Sequence, residues 1–419
     1  MEQRPSSSVP EWKPTQLFLT AHSPILIEGD SDFAMQAGLE GWPGNGSASS
    51  PFVISNYTLG LGAPDYGVLI NNTTVSFVIR DCVITNCQRA AMMLWNLTDG
   101  TVTSISLSAP QRAWGLAVNN SRNVTISHNT CTVEPGMGGS GTGLGVFFCS
   151  NMIVDRNTCP GGLSLDVASC THSIFSNNSV SGRYISLRVN STSDCEFVNN
   201  TCNSGIGGQP VQIGSSPSNL LMENKFNGAV GNTASDHNSF INNTFTAGYY
   251  GLSIYASNYT TVSGNRWNCT GVSLAIGLRV VSSQSNDIFN NTFVRCVGAA
   301  VVLESSQYNT IWNNTFYYNA GSGDAYDSAH VQASDDNVSN YWNSSAGHGN
   351  YWSDWQSPDD VPPYGIVDIP YNITGGGGAQ DFYPLTTPSA PIPEFGALPV
   401  MLILMLVPFV VGARRAVKR

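Results

Sequence analysis

Six side chains that can contact a ligand through charge, hydrogen bonds or an aromatic ring stand at related positions of a repeating sequence pattern. Four stand twelve residues, and two stand ten residues, before an Asn that anchors each repeat: Asp166, Arg188, Gln212, Arg279, Tyr255 and Glu304. If each repeat is one coil of a stacked fold, these residues share an outward face, which we predict to be the ligand-binding face. Asp166 and Arg188, one repeat apart, are the candidate catalytic residues. The alternative is that they form an ordinary ion pair between neighbouring strands.

Acidic pairs elsewhere in the chain bear on whether the protein is an enzyme. Hydrolysis of a glycosidic bond by two carboxyl groups requires them to lie about 5–9.5 Å apart. Asp194 and Asp236 are two repeats apart, and the acidic pairs 335–336 and 359–360 are adjacent in predicted loops. None of these arrangements matches the requirement. The sequence therefore leaves enzymatic activity open and favours a binding protein.

Histidine spacing and an acidic segment bear on metal binding. Copper favours His, Cys and Met ligands, and His172 and His237 share one position of the repeat. They are three repeats apart, about 14 Å at the spacing of neighbouring strands, which is too far for one ion. Asp359, Asp360 and Asp368 are candidate calcium ligands, but a valine and two prolines interrupt the alternating acidic pattern of a calcium loop. A simple capping turn is the alternative, so copper and calcium are candidate cofactors only.

The ten cysteines form no Cys-x-x-Cys motif, but four of them occupy equivalent positions in consecutive repeats. Equivalent positions on neighbouring coils lie about 5 Å apart, a spacing that suits a disulfide. We therefore predict the pairs Cys149–Cys170 and Cys131–Cys159 for a protein outside the cytoplasm. The alternative is that these thiols are free and pack as small apolar side chains.

A short repeat defines the elements that must position all these side chains. Nine times the chain shows an apolar residue, two further residues, an Asn, one residue and a second apolar residue. The residue thirteen before the Asn is also always apolar, and the residue eight before it is always small. Successive Asn residues are 28, 21, 22, 24, 19, 22, 26 and 23 positions apart: Asn129, Asn157, Asn178, Asn200, Asn224, Asn243, Asn265, Asn291 and Asn314.

This period, about 23 residues per coil, predicts an all-β protein built as a parallel β-helix. Short apolar runs with period-two alternation are typical of strands. Asn and small residues are typical of turns, and stacked Asn side chains can bond along the stack. A propeller blade requires roughly 40 or more residues. A helical solenoid is disfavoured because Asn, Thr, Gly and Ser are poor helix formers.

The charge of the chain excludes nucleic acid as a partner. Only 11% of the residues are charged and the net charge is −11, so no basic stripe is available for a phosphate backbone. Eighteen Asn-x-Ser/Thr triplets lie between Asn45 and Asn372. They indicate a glycoprotein, or they are by-products of the Asn-rich turns.

The C-terminal residues indicate a membrane anchor. Positions 397–413 form an uncharged apolar run of 17 residues, the short end of a membrane span, and four basic residues follow. A basic cluster stays in the cytoplasm, so we expect a single transmembrane helix with the repeats outside the cell; a buried helix is the alternative. The predicted segments are an irregular N-terminus, β-helix repeats, capping segment, Pro-rich spacer, transmembrane helix and basic tail: 1–20, 21–345, 346–385, 386–396, 397–413 and 414–419.

Both ends of the repeat region resemble those of a known family. The segments concerned are two at the start and three at the end: His22–Asp30, Gly44–Ile54, Gly349–Asp354, Gly365–Tyr371 and Asp381–Leu385. With the repeats, they resemble NosD-type right-handed β-helix proteins. The resemblance implies a right-handed β-helix outside the cytoplasm that binds copper for the maturation of a copper enzyme, or a carbohydrate-binding and sugar-hydrolysing domain. Pro393-Glu394-Phe395, with the apolar run and basic end, is similar to an archaeal PEF-type surface sorting signal.

These features predict a membrane-anchored extracellular β-helix that binds glycan or forms part of the cell envelope with other envelope proteins. The first alternative is NosD-like copper binding and delivery. The second is a polysaccharide lyase, epimerase or hydrolase that uses Asp166 or Arg188.

Overall fold

The computed structural model describes residues 19–110, 112–134, 141–183, 185–204, 210–246, 249–269 and 276–388, which belong to one compact unit. The predicted transmembrane helix, the basic tail, most of the Pro-rich spacer and most of the irregular N-terminus lie outside the described residues. Within the described ranges, no helical segment has the length and hydropathy that a membrane span requires.

In the described part of the chain, three parallel sheets form the walls of a column, and a strand pairs with the third strand after it. The 13-stranded sheet consists of Ile25–Glu28, Tyr66–Thr73, Ala90–Leu97, Trp114–Asn119, Thr142–Phe147, Leu163–Ala168, Leu187–Asn190, Val211–Gly214, Val230–Thr233, Tyr250–Tyr255, Ile276–Val281, Val301–Glu304 and Ala333–Asp335. The 12-stranded sheet consists of Phe52–Ser55, Phe77–Arg80, Gly100–Thr103, Val124–Ser127, Ile153–Asp155, Ile174–Ser176, Glu196–Val198, Leu220–Met222, Ser239–Ile241, Thr261–Ser263, Asp287–Phe289 and Thr310–Trp312. The 14-stranded sheet consists of Thr20–Ala21, Tyr57–Leu59, Val83–Thr85, Ser106–Ala109, Thr130–Val133, Thr158–Pro160, Ser179–Gly182, Thr201–Ser204, Lys225–Asn227, Thr244–Thr246, Arg266–Asn268, Thr292–Val294, Thr315–Tyr317 and Tyr351–Trp352. The predicted parallel β-helix is confirmed.

The three apolar positions of the repeat face the interior from the three different sheets. In one coil, Leu187 on the 13-stranded sheet, Phe197 on the 12-stranded sheet and Cys202 on the 14-stranded sheet are all buried. Side chains alternate between the two faces of a strand, so the residue between two inward positions points outward. The apolar positions of the repeat are therefore the residues that form one shared core.

Seven aromatic rings stack along the interior in the C-terminal half of the column. Their centroids are 4.0 to 5.3 Å from the next ring in the order Phe226, Phe245, Trp267, Phe293, Phe316, Trp352 and Tyr371. Parallel, in-register coils place the same position of the repeat directly above its predecessor, which brings the first six rings into contact, and Tyr371 of the closing antiparallel pair stacks on the sixth. Each contact contributes about 0.5–1.5 kcal/mol beyond the burial of its apolar area.

The anchoring Asn residues form a buried ladder along one corner, as predicted. The backbone N–H and Nδ2 of Asn200 both donate to Oδ1 of Asn224, at 2.8 and 3.1 Å, and Asn224 Nδ2 donates to the Phe197 carbonyl at 2.8 Å. The last amide, Asn350, donates its backbone N–H to Asp381 Oδ2 at 2.7 Å. A carboxylate suits the end of the ladder because it accepts hydrogen bonds and has none to donate.

Both ends of the column are covered. At the start, helix α1 (Gly29–Glu40) places Phe33 over the core, where its ring lies 5.2 Å from Phe52 and 5.6 Å from Phe77. At the other end, an antiparallel pair, Tyr371–Asn372 with Gln380–Asp381, covers the last coil. The helix falls within the range we assigned to β-helix repeats and is not evident from the repeat pattern.

Candidate functional site

The structure brings all six predicted ligand-binding residues onto the outward face of the 13-stranded sheet. Asp166, Arg188 and Gln212 are register neighbours on three consecutive strands. Arg279 lies in the same outward column, three strands beyond Gln212. The remaining two residues, Tyr255 and Glu304, lie two strands apart in the adjacent outward column. The predicted face is therefore continuous.

Asp166 and Arg188 form a bidentate ion pair on this face. Arg188 Nε donates to Asp166 Oδ1 at 2.9 Å, and Nη2 donates to Oδ2 at 2.5 Å. The Asp166 side chain is 3% exposed and that of Arg188 is 46% exposed. These hydrogen bonds raise the pKa of Arg188 above its ordinary value. Because both carboxylate oxygens accept hydrogen bonds from Arg188, Asp166 fixes the position of Arg188, and a catalytic role for either residue stays a prediction.

Arg279 is held in a similar way at the other end of the face. Its Nε donates to Glu304 Oε1 at 3.0 Å, its Nη2 donates to Oε2, and its guanidinium lies 5.3 Å from the centroid of the Tyr250 ring. The hydrogen bonds to Glu304 raise the pKa of Arg279. The bidentate ion pair and the cation–π contact together fix the orientation of the Arg279 guanidinium.

Two glycines open a groove between these arginines. Gly214 and Gly231 stand at outward positions of neighbouring strands, where every other residue type would project a side chain. The groove has a volume of about 220 Å³, and Arg188, Gln212 and Thr233 are among the residues that line it. Arg188 and Arg279 are four strands apart, ~19 Å. The face therefore offers a depression lined by the fixed Arg188, with Arg279 two strands beyond its far edge.

The carboxylates of this face are not arranged for glycoside hydrolysis. Asp166 and Glu304 are six strands apart, ~29 Å, far beyond the separation that acid–base catalysis requires. Each is also paired with an arginine. One acid that the repeat pattern did not single out is Glu196, which stands between Ile174 and Leu220 on the 12-stranded sheet. Burial raises the pKa of Glu196.

The predicted calcium ligands cap a loop. Asp368 Oδ2 accepts hydrogen bonds from the backbone N–H groups of Asp360 and Val361, at 2.7 and 3.2 Å. Asp359 Oδ2 accepts one from Gly365 at 2.9 Å. Throughout the described ranges, no three His, Cys, Asp or Glu side chains converge on a position where they would hold a metal ion. These hydrogen bonds are those of a capping turn, and the binding of calcium or copper stays a prediction.

The four cysteines of the predicted disulfides lie side by side as buried free thiols. A hydrogen bond between Cys131 and Cys159 raises the pKa of Cys131, and one between Cys149 and Cys170 raises the pKa of Cys170. Their oxidation to disulfides stays a prediction, which mass analysis of the unreduced chain tests. The structure contains a different disulfide, Cys269–Cys296, with Cα atoms 4.7 Å apart. The repeat alignment missed it because the two residues are at unequal distances from their anchoring Asn.

Two family models match the sequence. Residues 166–357 match a periplasmic copper-binding protein family, NosD, and residues 66–226 match the right-handed β-helix region. No protein with a curated description matches.

Several solved structures share the fold. The A-module of the mannuronan C-5 epimerase AlgE6 of Azotobacter vinelandii is 15% identical with a TM-score of 0.50, over 68% of this chain and 87% of that chain. PfbA, a surface adhesin of Streptococcus pneumoniae, is 12% identical with a TM-score of 0.45, over 78% and 92% of the two chains. The alginate lyase AlyF-OU02 is 12% identical with a TM-score of 0.46, over 82% and 87%. Likeness at this level concerns the fold alone.

The family matches agree with the geometry of the column. Their ranges overlap, and together they extend from residue 66 to residue 357, across most of the stacked coils. The start, repeats and closing segment that resemble this family are the parts that form the capped column. The chain is a right-handed parallel β-helix protein, and its residues 166–357 are of the NosD type.

Proposed function

We propose that this protein binds a neutral polysaccharide along the outward face of its 13-stranded sheet and does not cleave it. The observation that carries the proposal is the groove over Gly214 and Gly231, which is lined by Arg188 in the orientation that Asp166 fixes. A groove of about 220 Å³ accommodates a sugar unit, while the long sheet provides further contacts on either side. Fixed polar groups on a rigid scaffold lose little entropy when a ligand binds.

The charge of the face favours a neutral ligand. Asp166 neutralises Arg188, and Glu304 neutralises Arg279, so the two guanidinium groups act as directed hydrogen-bond donors with little net charge. The amide of Asn190 and the hydroxyl of Thr233 also line the groove. Amides, hydroxyls and paired guanidinium groups are suited to the hydroxyls of a sugar.

The absence of a suitably spaced acid pair on this face, within the described residues, supports binding without hydrolysis. The apolar run at 397–413, followed by basic residues, supports attachment to the membrane with the β-helix outside the cell. In that setting the ligand is a glycan of the protein's own envelope or its surroundings. The description of the family as periplasmic agrees with this location.

The proposal is tested by affinity electrophoresis of the native full-length chain through gels that contain neutral or anionic polysaccharides. We expect retardation by a neutral polysaccharide, and we expect Arg188→Ala to weaken it about tenfold, because a fixed donor is lost. The incubated polysaccharide is then examined for new reducing ends and unsaturated products. Retardation only by anionic polysaccharides, or the appearance of cleavage products, would contradict the proposal.

A further inference from the structure

The central outward column of the 13-stranded sheet continues past the groove as far as Arg279. Five residues of this column are register neighbours on consecutive strands: Arg188, Gln212, Gly231, Ser253 and Arg279. The first three of them line the groove. The last two, Ser253 and Arg279, define a segment of the face that we call the extension. It leads from the far edge of the groove to a second arginine.

A notch lies in the extension, on the strand Tyr250–Tyr255. The small Ser253 points outward in the middle of this face. Tyr255 occupies the next outward position of the same strand, beside Thr233 of the groove, and is 48% exposed. On the other side of Ser253, Tyr250 also lies on the outward face, because its ring centroid is 5.3 Å from the guanidinium of Arg279. Two large side chains therefore flank a small one on this strand.

Arg279 ends the extension with donors that point in a fixed direction. A guanidinium has more N–H donors than the two that Glu304 accepts from Arg279. The Arg279 side chain is 26% exposed, so a ligand can reach it. Glu304 also neutralises its charge, as Asp166 does for Arg188. The two arginines of the column therefore present the same chemistry to a neutral chain.

The distance between the two arginines matches a short oligosaccharide. They are four strand spacings apart, ~19 Å. In an extended 1,4-linked chain, each sugar unit advances by about one strand spacing. A chain that runs along the column therefore places about one unit on each strand. About three units cover the groove, and about five extend from Arg188 to Arg279.

We infer that the notch and Arg279 extend the groove into a site for one extended neutral chain of at least about five sugar units. The chain lies over Gly231 and Ser253, passes between Tyr250 and Tyr255, and accepts hydrogen bonds from an arginine at each end. The tyrosines confine it from the sides, so no sugar has to stack on a ring. This inference rests on the proposed glycan-binding function and adds a second subsite and the length of the ligand.

The test is calorimetric titration of the full-length chain with oligosaccharides of two to eight units. They are prepared by partial acid hydrolysis of the neutral polysaccharide that retards the wild type. A short chain reaches one arginine, and a longer one reaches both. We therefore expect the affinity to rise at least about tenfold between three and six units and to change little beyond six.

Two variants separate the extension from the groove. Ser253→Leu fills the notch and Arg279→Ala removes the second set of donors, so each is expected to reduce the ratio of six-unit to three-unit affinity about tenfold. Urea unfolding verifies that both variants are folded. Arg266→Ala is the matched control, because Arg266 is exposed in the same coil as Ser253 but on the 14-stranded sheet. It is expected to leave the ratio unchanged.

An affinity that does not rise beyond three units, or a ratio that either Ser253→Leu or Arg279→Ala leaves unchanged, would overturn the extension as a subsite. These results are separable from failure of the groove. If Arg188→Ala weakens retardation in the polysaccharide gels while one of them is found, the groove stands and the extension does not. If no neutral polysaccharide retards the wild type, both fail.

Discussion

At the scale of single residues, the face is organised by carboxylates that hold arginines. The sequence placed Asp166 beside Arg188 and left open whether the pair is catalytic or structural. The structure shows Asp166 nearly fully buried with both oxygens bonded, which makes it a support for Arg188. A sequence pattern gives the register of two residues but not the burial of their atoms, because burial depends on the side chains of neighbouring coils.

The end of the Asn ladder makes stability depend on pH. Burial raises the pKa of Asp381 from 3.8 to about 6. Because the pKa of Asp381 is higher in the folded than in the unfolded protein, the protonated carboxyl stabilises the fold. This contribution is complete below about pH 4 and is lost as the pH rises through about 6. A difference of about two pKa units corresponds to about 3 kcal/mol. Burial raises the pKa of Asp335 and Asp354 in the same direction.

We predict that the free energy of unfolding of the wild type, relative to Asp381→Asn, decreases by up to about 3 kcal/mol between pH 4 and pH 7. Urea unfolding followed by tryptophan fluorescence measures it, since Trp352 Nε1 donates to Asp381 at 3.0 Å and reports on this end of the column. Asp360→Asn, at an exposed carboxyl outside the ladder, is the control. A difference between wild type and Asp381→Asn that does not vary with pH would refute the prediction.

At the scale of elements, the sequence predicted what the repeat itself encodes. The three apolar positions, the buried Asn and the turn residues recur in nine coils, and each copy supports the same interpretation. Features that occur once were not predictable in this way. Helix α1 and the disulfide Cys269–Cys296 belong to no column of the alignment. The groove was also missed, because it depends on Gly214 and Gly231 coinciding on neighbouring strands.

We predict that Asn224→Ala destabilises the column by about 2–4 kcal/mol. The substitution leaves the backbone N–H and Nδ2 of Asn200 without their acceptor and the Phe197 carbonyl without a donor, all in the buried interior. Urea unfolding measures the effect. The exposed Asn227, three residues away, is the matched control, and its replacement by Ala should cost less than about 1 kcal/mol. Equal effects of the two substitutions would show that the ladder is not a main source of stability.

At the scale of the whole molecule, the described residues form a capped column with different chemistry on its outward surfaces. Stacked coils give each outward position a fixed spacing, so a ligand with its own repeat can contact several coils at once. The 13-stranded sheet offers a groove lined by Arg188, whose charge Asp166 neutralises. A long polymer suits such a surface better than a small molecule, because single contacts of modest strength add along the column.

The most direct test of the central claim is the affinity of Gly214→Val for the neutral polysaccharide that retards the wild type. Gly214 does not have a positive φ, and a Cβ there meets only Asn190 Oδ1, at 3.4 Å. Valine is favoured in strands, by up to about 1 kcal/mol, so the variant should unfold at the same or a higher urea concentration. Ser239→Val, on the 12-stranded sheet of the neighbouring coil, is the control. The account predicts that Gly214→Val folds normally and loses at least about tenfold in affinity while Ser239→Val binds like the wild type; undiminished binding by a well-folded Gly214→Val would contradict it.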